Sequence, residues 1–175
     1  IPKLNDIEKD DGTTNYSVLA KSLHWFFVIF FAFGIYKQVD DIQQLEDISL
    51  FWTEIIFASI FLIFLAFRFL YMTKTQKTSL PKYTPKYQKL VAKLVHLSMY
   101  LTLAGIAGSG LLIGLSFSMG VKQGLLIEII VSIHEFFVSI VYWLISIHVL
   151  AAIYHRLRND GVWNSMVPIW KESKK

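Results

Sequence analysis

The chain has 175 residues, of which 54% are hydrophobic and 17% are charged, and its mean hydropathy is +0.49. Soluble domains normally carry about a quarter charged residues, so this composition excludes an ordinary soluble globular domain. The sequence contains no cysteine, which excludes disulfides, cysteine-ligated iron–sulfur clusters and thioether-attached haem.

Four apolar stretches are predicted to be membrane-spanning helices. A bilayer span needs about 20 predominantly apolar residues, and residues 94–121 and 136–155 contain no Asp, Glu, Lys or Arg. The predicted spans are 18–39, 48–72, 90–116 and 124–154. We therefore predict an all-α, four-helix transmembrane bundle over residues 18–157, with a polar N-terminal tail at 1–17 and a basic C-terminal tail at 158–175.

The placement of Lys and Arg predicts the orientation of the bundle. Basic residues concentrate in the link between the second and third spans and after the fourth span, whereas the link between the first and second spans is acidic. The positive-inside rule then places both termini in the cytoplasm. Anionic lipid headgroups account for the net charge of +4, so we expect no nucleic-acid partner.

All five histidines lie in the predicted spans or at their ends. They are His24, His96, His134, His148 and His155. A lone intramembrane histidine can simply bond a neighbouring helix, but ionisable groups at this depth usually mark function. The spacing from the span ends puts His24, His96 and His148 at one level, in the cytoplasmic half. His134 precedes His148 by fourteen residues, or about 21 Å of helix, and so belongs to the outer half.

The fourth span carries its histidines on one side. Steps of seven and fourteen residues return to nearly the same face of a helix, so His134, His148 and His155 form one stripe. An inward stripe of imidazoles suits planar cofactors stacked at two depths, and haem is the natural candidate. Zinc would require a compact tetrahedral cluster, which the separation of His134 argues against.

Several short motifs carry a family resemblance. They are SLHW (22–25), HLSMYLTLAGIAGSG (96–110), HE (134–135), HVLAAIYH (148–155) and RNDGVWNSMVP (158–168). In this order and spacing they resemble the bacterial cytochrome b561 family, which includes superoxide oxidase and is related to hydrogenase cytochrome b subunits. The resemblance covers residues 16–168. It implies a multi-pass protein of the bacterial inner (cytoplasmic) membrane that holds two b-type haems and exchanges electrons with quinone.

The resemblance also implies roles for individual residues. His24 and His148 correspond to the axial ligands of the cytoplasmic-side haem. His96 is either an alternative ligand or a hydrogen-bonding neighbour of that haem. His155 lies near the membrane surface, where it contacts quinone or a haem propionate, or is an ordinary interfacial histidine; we place the quinone next to His155 and Arg158.

The outer haem site departs from the family pattern. His134 matches one family ligand, but the expected histidine of the second span is replaced by Glu54, fourteen residues before Arg68. Carboxylate is a poor substitute for imidazole on low-spin haem. We therefore expect one haem b, with the second in doubt, and Glu54 paired with His134 either by a hydrogen bond or across an iron.

The leading functional hypothesis is a membrane b-type cytochrome that moves single electrons between quinone or quinol and a redox partner. Lys37 and Lys122 are the only basic residues expected on the outer side. This favours an outer redox protein as partner over a superoxide oxidase, although that activity stays open. The alternative is a non-redox membrane anchor or proton-coupled transporter subunit that uses His134 and Glu54.

Overall fold

The computed structural model describes residues 15–172. Most of the predicted N-terminal tail, and the last three residues of the predicted C-terminal tail, lie outside the described residues. The helices are α1 (Val18–Tyr36), a short 3-10 helix (Ile42–Glu46), α2 (Ile48–Thr75), α3 (Lys86–Ser118), α4 (Leu125–Arg158) and α5 (Val162–Met166). The described chain has no strand, and α1 to α4 are each long and apolar enough to cross a membrane. The all-α class and the four candidate spans are confirmed.

Helix caps set the ends of the spans. The Ser17 side chain accepts a hydrogen bond from the Ala20 backbone N–H at 3.1 Å, which starts α1. Asp47 starts α2 in the same way, by accepting from Ser49 N at 2.8 Å. The acidic link between α1 and α2 thus supplies a helix cap. Helix α3 begins directly after Pro85, four residues before the predicted span, because hydropathy locates the apolar core of a helix and not its charged first turn.

The bundle core is mostly aromatic between α1 and α2. The buried cluster consists of Phe27, Phe61, Leu65, Leu103, Ala107 and Val141. The rings of Phe27 and Phe61 lie 5.0 Å apart and those of Phe30 and Phe57 lie 4.6 Å apart. Many large apolar side chains point outward instead, for example Trp143 at 74% exposure. An outer surface of this kind is suited to lipid and not to water.

The buried residues of α4 show which side of this helix faces the bundle. They are Ile127 and Val141. Each lies seven residues from His134, and His148 and His155 continue the same series. Because a step of seven residues keeps nearly the same face, the stripe of histidines is directed into the bundle.

The residues after α4, which belong to the predicted basic C-terminal tail, fold back onto the bundle. We call residues 159–172 the C-terminal segment and the end of the bundle that it covers the α5 end. Asn159 and Gly161 turn the chain with φ of 51° and 86°, a conformation that Asn and Gly adopt readily. Lys21 Nζ then donates to Asn164 O at 3.2 Å, and Trp25 Nε1 donates to Met166 O at 3.1 Å. Two side chains of α1 therefore hold the segment in place.

Replacing Trp25 with Phe is expected to destabilise the protein. The substitution keeps the apolar ring but removes the donor to Met166 O, which corresponds to a loss of about 1 kcal/mol of stability. Thermal unfolding of the purified protein measures the effect, with Trp143→Phe as the control because that ring lies on the outer surface. Equal unfolding temperatures for the two variants would show that the contact with the C-terminal segment contributes nothing to stability.

Candidate functional site

Three histidines from three helices meet near the α5 end. The ring centroids of His24 on α1 and His148 on α4 are 6.5 Å apart, with the planes inclined by 57°. Those of His96 on α3 and His148 are 5.0 Å apart, with the planes nearly perpendicular at 86°. The three side chains that the sequence analysis placed at one depth are thus neighbours in space.

Arg68 of α2 completes this cluster. Its guanidinium Nη2 lies 2.8 Å from His24 Nδ1, and its Nη1 donates to the Tyr100 hydroxyl at 2.8 Å. The guanidinium carbon also lies 5.6 Å from the centre of the Phe27 ring. Arg68 was a landmark for the position of Glu54 in the sequence, and its place in this site was not predicted. The available signal was an arginine within an apolar span, where a charge is costly without a function or partner.

The other half of the bundle holds His134. Its Nδ1 lies 2.9 Å from Ser109 Oγ, and the Ser109 hydroxyl lies 2.6 Å from the Gly105 carbonyl oxygen, to which it donates. A hydroxyl has a single proton, so when Ser109 donates it to the Gly105 carbonyl, His134 donates to Ser109 from Nδ1. In this tautomer Nε2 carries a free lone pair. A Cβ at Gly110 would lie 3.6 Å from the imidazole, so a small residue there lets α3 approach the ring.

A polar cavity of about 220 Å³ opens at the α5 end of α4. It is lined by Tyr83, Thr84, Pro85, Gln88, His155, Arg158 and Asp160. His155 Nδ1 and Asp160 Oδ2 are 2.7 Å apart, and Asp160 is almost fully buried. Arg158 donates to the Tyr154 hydroxyl at 3.0 Å. The two residues predicted to bind quinone, His155 and Arg158, therefore line one cavity together.

A comparison with known protein families identifies the family of this chain. The model of the family described as prokaryotic cytochrome b561 matches residues 15–168. The chain belongs to the prokaryotic cytochrome b561 family. No curated protein and no solved structure matches it. Membership makes this chain a multi-pass inner-membrane cytochrome that transfers electrons through haem b, as the motifs predicted.

The histidine cluster of this cytochrome fits the spacing that an iron needs. Metal–imidazole bonds of about 2 Å on opposite sides of an ion put the two ring centres about 6 Å apart. His24 and His148, at 6.5 Å, match this value, whereas His96 and His148, at 5.0 Å, are too close. Within residues 15–172 no group of three or more His, Cys, Asp or Glu side chains could hold a metal ion directly. Haem needs only two axial side chains, and the separation of His24 and His148 would suit such a pair.

Glu54 lies on the inward side of α2. Steps of seven and eleven residues from it lead to Phe61 and Leu65, which are both buried, and such steps stay within about 20° of one face. The predicted Glu54–His134 hydrogen bond is not formed. His134 Nδ1 is bonded to Ser109, and in the part of the chain that the structure describes Glu54 makes no hydrogen bond or ion pair.

Proposed function

We propose that this cytochrome passes single electrons between a quinone or quinol at the α5 end and a redox partner on the opposite side of the membrane. One haem b, held by His24 and His148, is the carrier between them. The observation that supports this most strongly is the position of the polar cavity. His155 in its wall follows His148 by seven residues on the inward stripe of α4, which is about 10 Å along the helix. The cavity and the haem ligand are thus adjacent on one helix.

In this reaction the protein binds and orients the haem and excludes water from it. Haem, when bound, supplies the one-electron chemistry. His24 and His148 would hold it, the aromatic core around Phe27 provides an apolar surrounding, and the C-terminal segment covers the α5 end through its contact with Trp25. Membership of the family favours this function over a non-redox anchor or a proton-coupled transporter. A colourless full-length protein would contradict the proposal.

The cavity offers the chemistry that a quinone headgroup requires. A quinone presents two carbonyl acceptors, and a quinol presents two hydroxyl donors. The Asp160 carboxylate accepts from His155 Nδ1, so Nε2 of this imidazole is free to accept a hydroxyl proton. Arg158, Tyr83 and Gln88 add donors on the same wall.

The distribution of charge supports the orientation of the bundle and the kind of partner. The basic link between α2 and α3 lies at the α5 end, so we place this end, with both termini and the quinone, on the cytoplasmic side. On the outer side Lys122 lies 3.5 Å from Glu46, in a salt bridge. Lys37 is then the one outer basic residue without an acidic partner in the described chain. This surface suits a docked redox protein better than the collection of superoxide anions.

Replacing His155 with Ala is expected to slow quinol-driven haem reduction by about tenfold or more, because the acceptor for the hydroxyl proton is lost. The haem spectrum should stay unchanged, since His155 is not an axial ligand in this proposal. Stopped-flow reduction by a quinol measures the rate, and Lys74→Ala is the control because Lys74 is exposed at the same end of the bundle. Unchanged quinol kinetics in the His155 variant would rule out this cavity as the quinone site.

A further inference from the structure

Arg68 is a buried cation that lacks an anion. Its Nε is buried and has no hydrogen-bond partner, while the hydrogen bonds of the two Nη atoms go to His24 and to the neutral hydroxyl of Tyr100. No Asp or Glu within residues 15–172 forms an ion pair with it. A buried charge is costly unless it is paired, and removal from water in a membrane adds to that cost. The position therefore calls for an anionic ligand.

The contact between Arg68 and His24 also conflicts with iron binding. A guanidinium is always charged and can only donate hydrogen bonds. His24 must therefore accept at Nδ1, and a neutral imidazole that accepts there carries its proton on Nε2. That nitrogen then has no lone pair for a metal. His96 has the opposite arrangement, because its Nδ1 donates to the Ala92 carbonyl at 2.6 Å.

We infer that Arg68 is the binding site for a propionate group of the haem, and that it releases His24 when the haem binds. This inference rests on the proposed function, in which His24 is an axial ligand. A haem carries two carboxylates, and the planar fork of arginine, with Nε and one Nη, pairs with a carboxylate in a bidentate manner. One movement of the side chain would satisfy both the unpartnered Nε and the carboxylate.

The release changes the tautomer of His24 and leaves the proton count unchanged. One proton leaves Nε2 and one binds at Nδ1, so Nε2 becomes the metal-binding nitrogen. The new Nδ1–H needs an acceptor, as ligating histidines generally do. The Ala20 carbonyl lies four residues before His24, in the same relation as Ala92 to His96, and Ala20 is fully buried. Arg68 thus acts as a positioning residue for the axial ligand.

The test compares haem with its dimethyl ester, in which both carboxylates are neutral. The full-length chain is titrated with each compound and the low-spin Soret band is followed. We expect the unmodified chain to bind the ester at least about tenfold more weakly than haem, because a charge-assisted hydrogen bond is lost. Arg68→Gln should bind both compounds equally, and Lys74→Gln, which removes a charge from the exposed end of α2, should keep the full preference for haem.

Two further measurements examine the planar fork of Arg68 and its positive charge. Arg68→Lys retains the charge but not the planar fork, so its preference for haem should be intermediate. In the purified holo-protein, Arg68→Gln should lower the reduction potential of the haem, since the positive charge that stabilises the reduced state is lost, and Lys74→Gln should not. If the unmodified chain and Arg68→Gln preferred haem over the ester to the same extent, the inference about Arg68 would be wrong. The proposed ligand pair of His24 and His148 would be unaffected by that result. A chain that binds neither compound would instead contradict the proposed function.

Discussion

His148→Ala is expected to abolish the low-spin spectrum of the b haem. Axial imidazoles on both faces of the iron produce the low-spin state, and the 6.5 Å separation of the His24 and His148 rings suits an iron between them. Ala has no group that can replace the imidazole. His24→Ala is expected to have the same effect, because in the proposed site the two side chains would hold opposite faces of the same haem. Absorption spectra of the oxidised and dithionite-reduced protein measure the result.

His96→Ala is the matched control for these two variants. It removes an imidazole from the same cluster, but this ring lies 5.0 Å from that of His148 and directs Nδ1 to its own helix. We expect a low-spin spectrum to persist in this variant, with at most a small shift of its bands. If the His24 and His148 variants both kept the spectrum of the unmodified protein, the assignment would be wrong, and His96 would be the first replacement to consider.

The sequence was sufficient to predict the elements that depend on hydropathy and helix geometry. The four spans follow from apolar length, and the meeting of His24, His96 and His148 follows from their equal distances to the span ends. The stripe of His134, His148 and His155 follows from their seven-residue spacing, whereas its inward direction is shown by the structure, in which Ile127 and Val141 of the same series are buried.

The features that were not predicted depend on contacts between helices. The bond between Arg68 and His24 joins residues 44 positions apart, and that between Ser109 and His134 joins residues 25 apart. No spacing rule within a single helix predicts such pairs. The C-terminal segment was interpreted as part of a basic tail because of its Lys and Arg residues, although Asn159 and Gly161 are typical turn residues.

The number of haems per chain depends on the outer site, which contains His134. In the tautomer in which His134 donates from Nδ1 to Ser109, its Nε2 is free for a metal. The opposite ligand in the family pattern would come from the position that Glu54 occupies, on the inward side of α2. A carboxylate binds low-spin haem iron poorly, and Glu54 has no partner among the described residues that would explain its burial cost. We therefore expect one low-spin haem per chain.

Glu54→His is expected to raise the haem content from one towards two per chain, because it provides an imidazole opposite His134. The pyridine haemochrome assay, with the protein concentration measured independently, gives the stoichiometry. Glu128→His is the matched control: it makes the same substitution on the exposed first turn of α4, and its haem content should stay at one. A second low-spin haem in the unmodified protein would refute this prediction. In that case a ligand other than a histidine of α2 would complete the outer site, and Glu54→His would leave the stoichiometry unchanged.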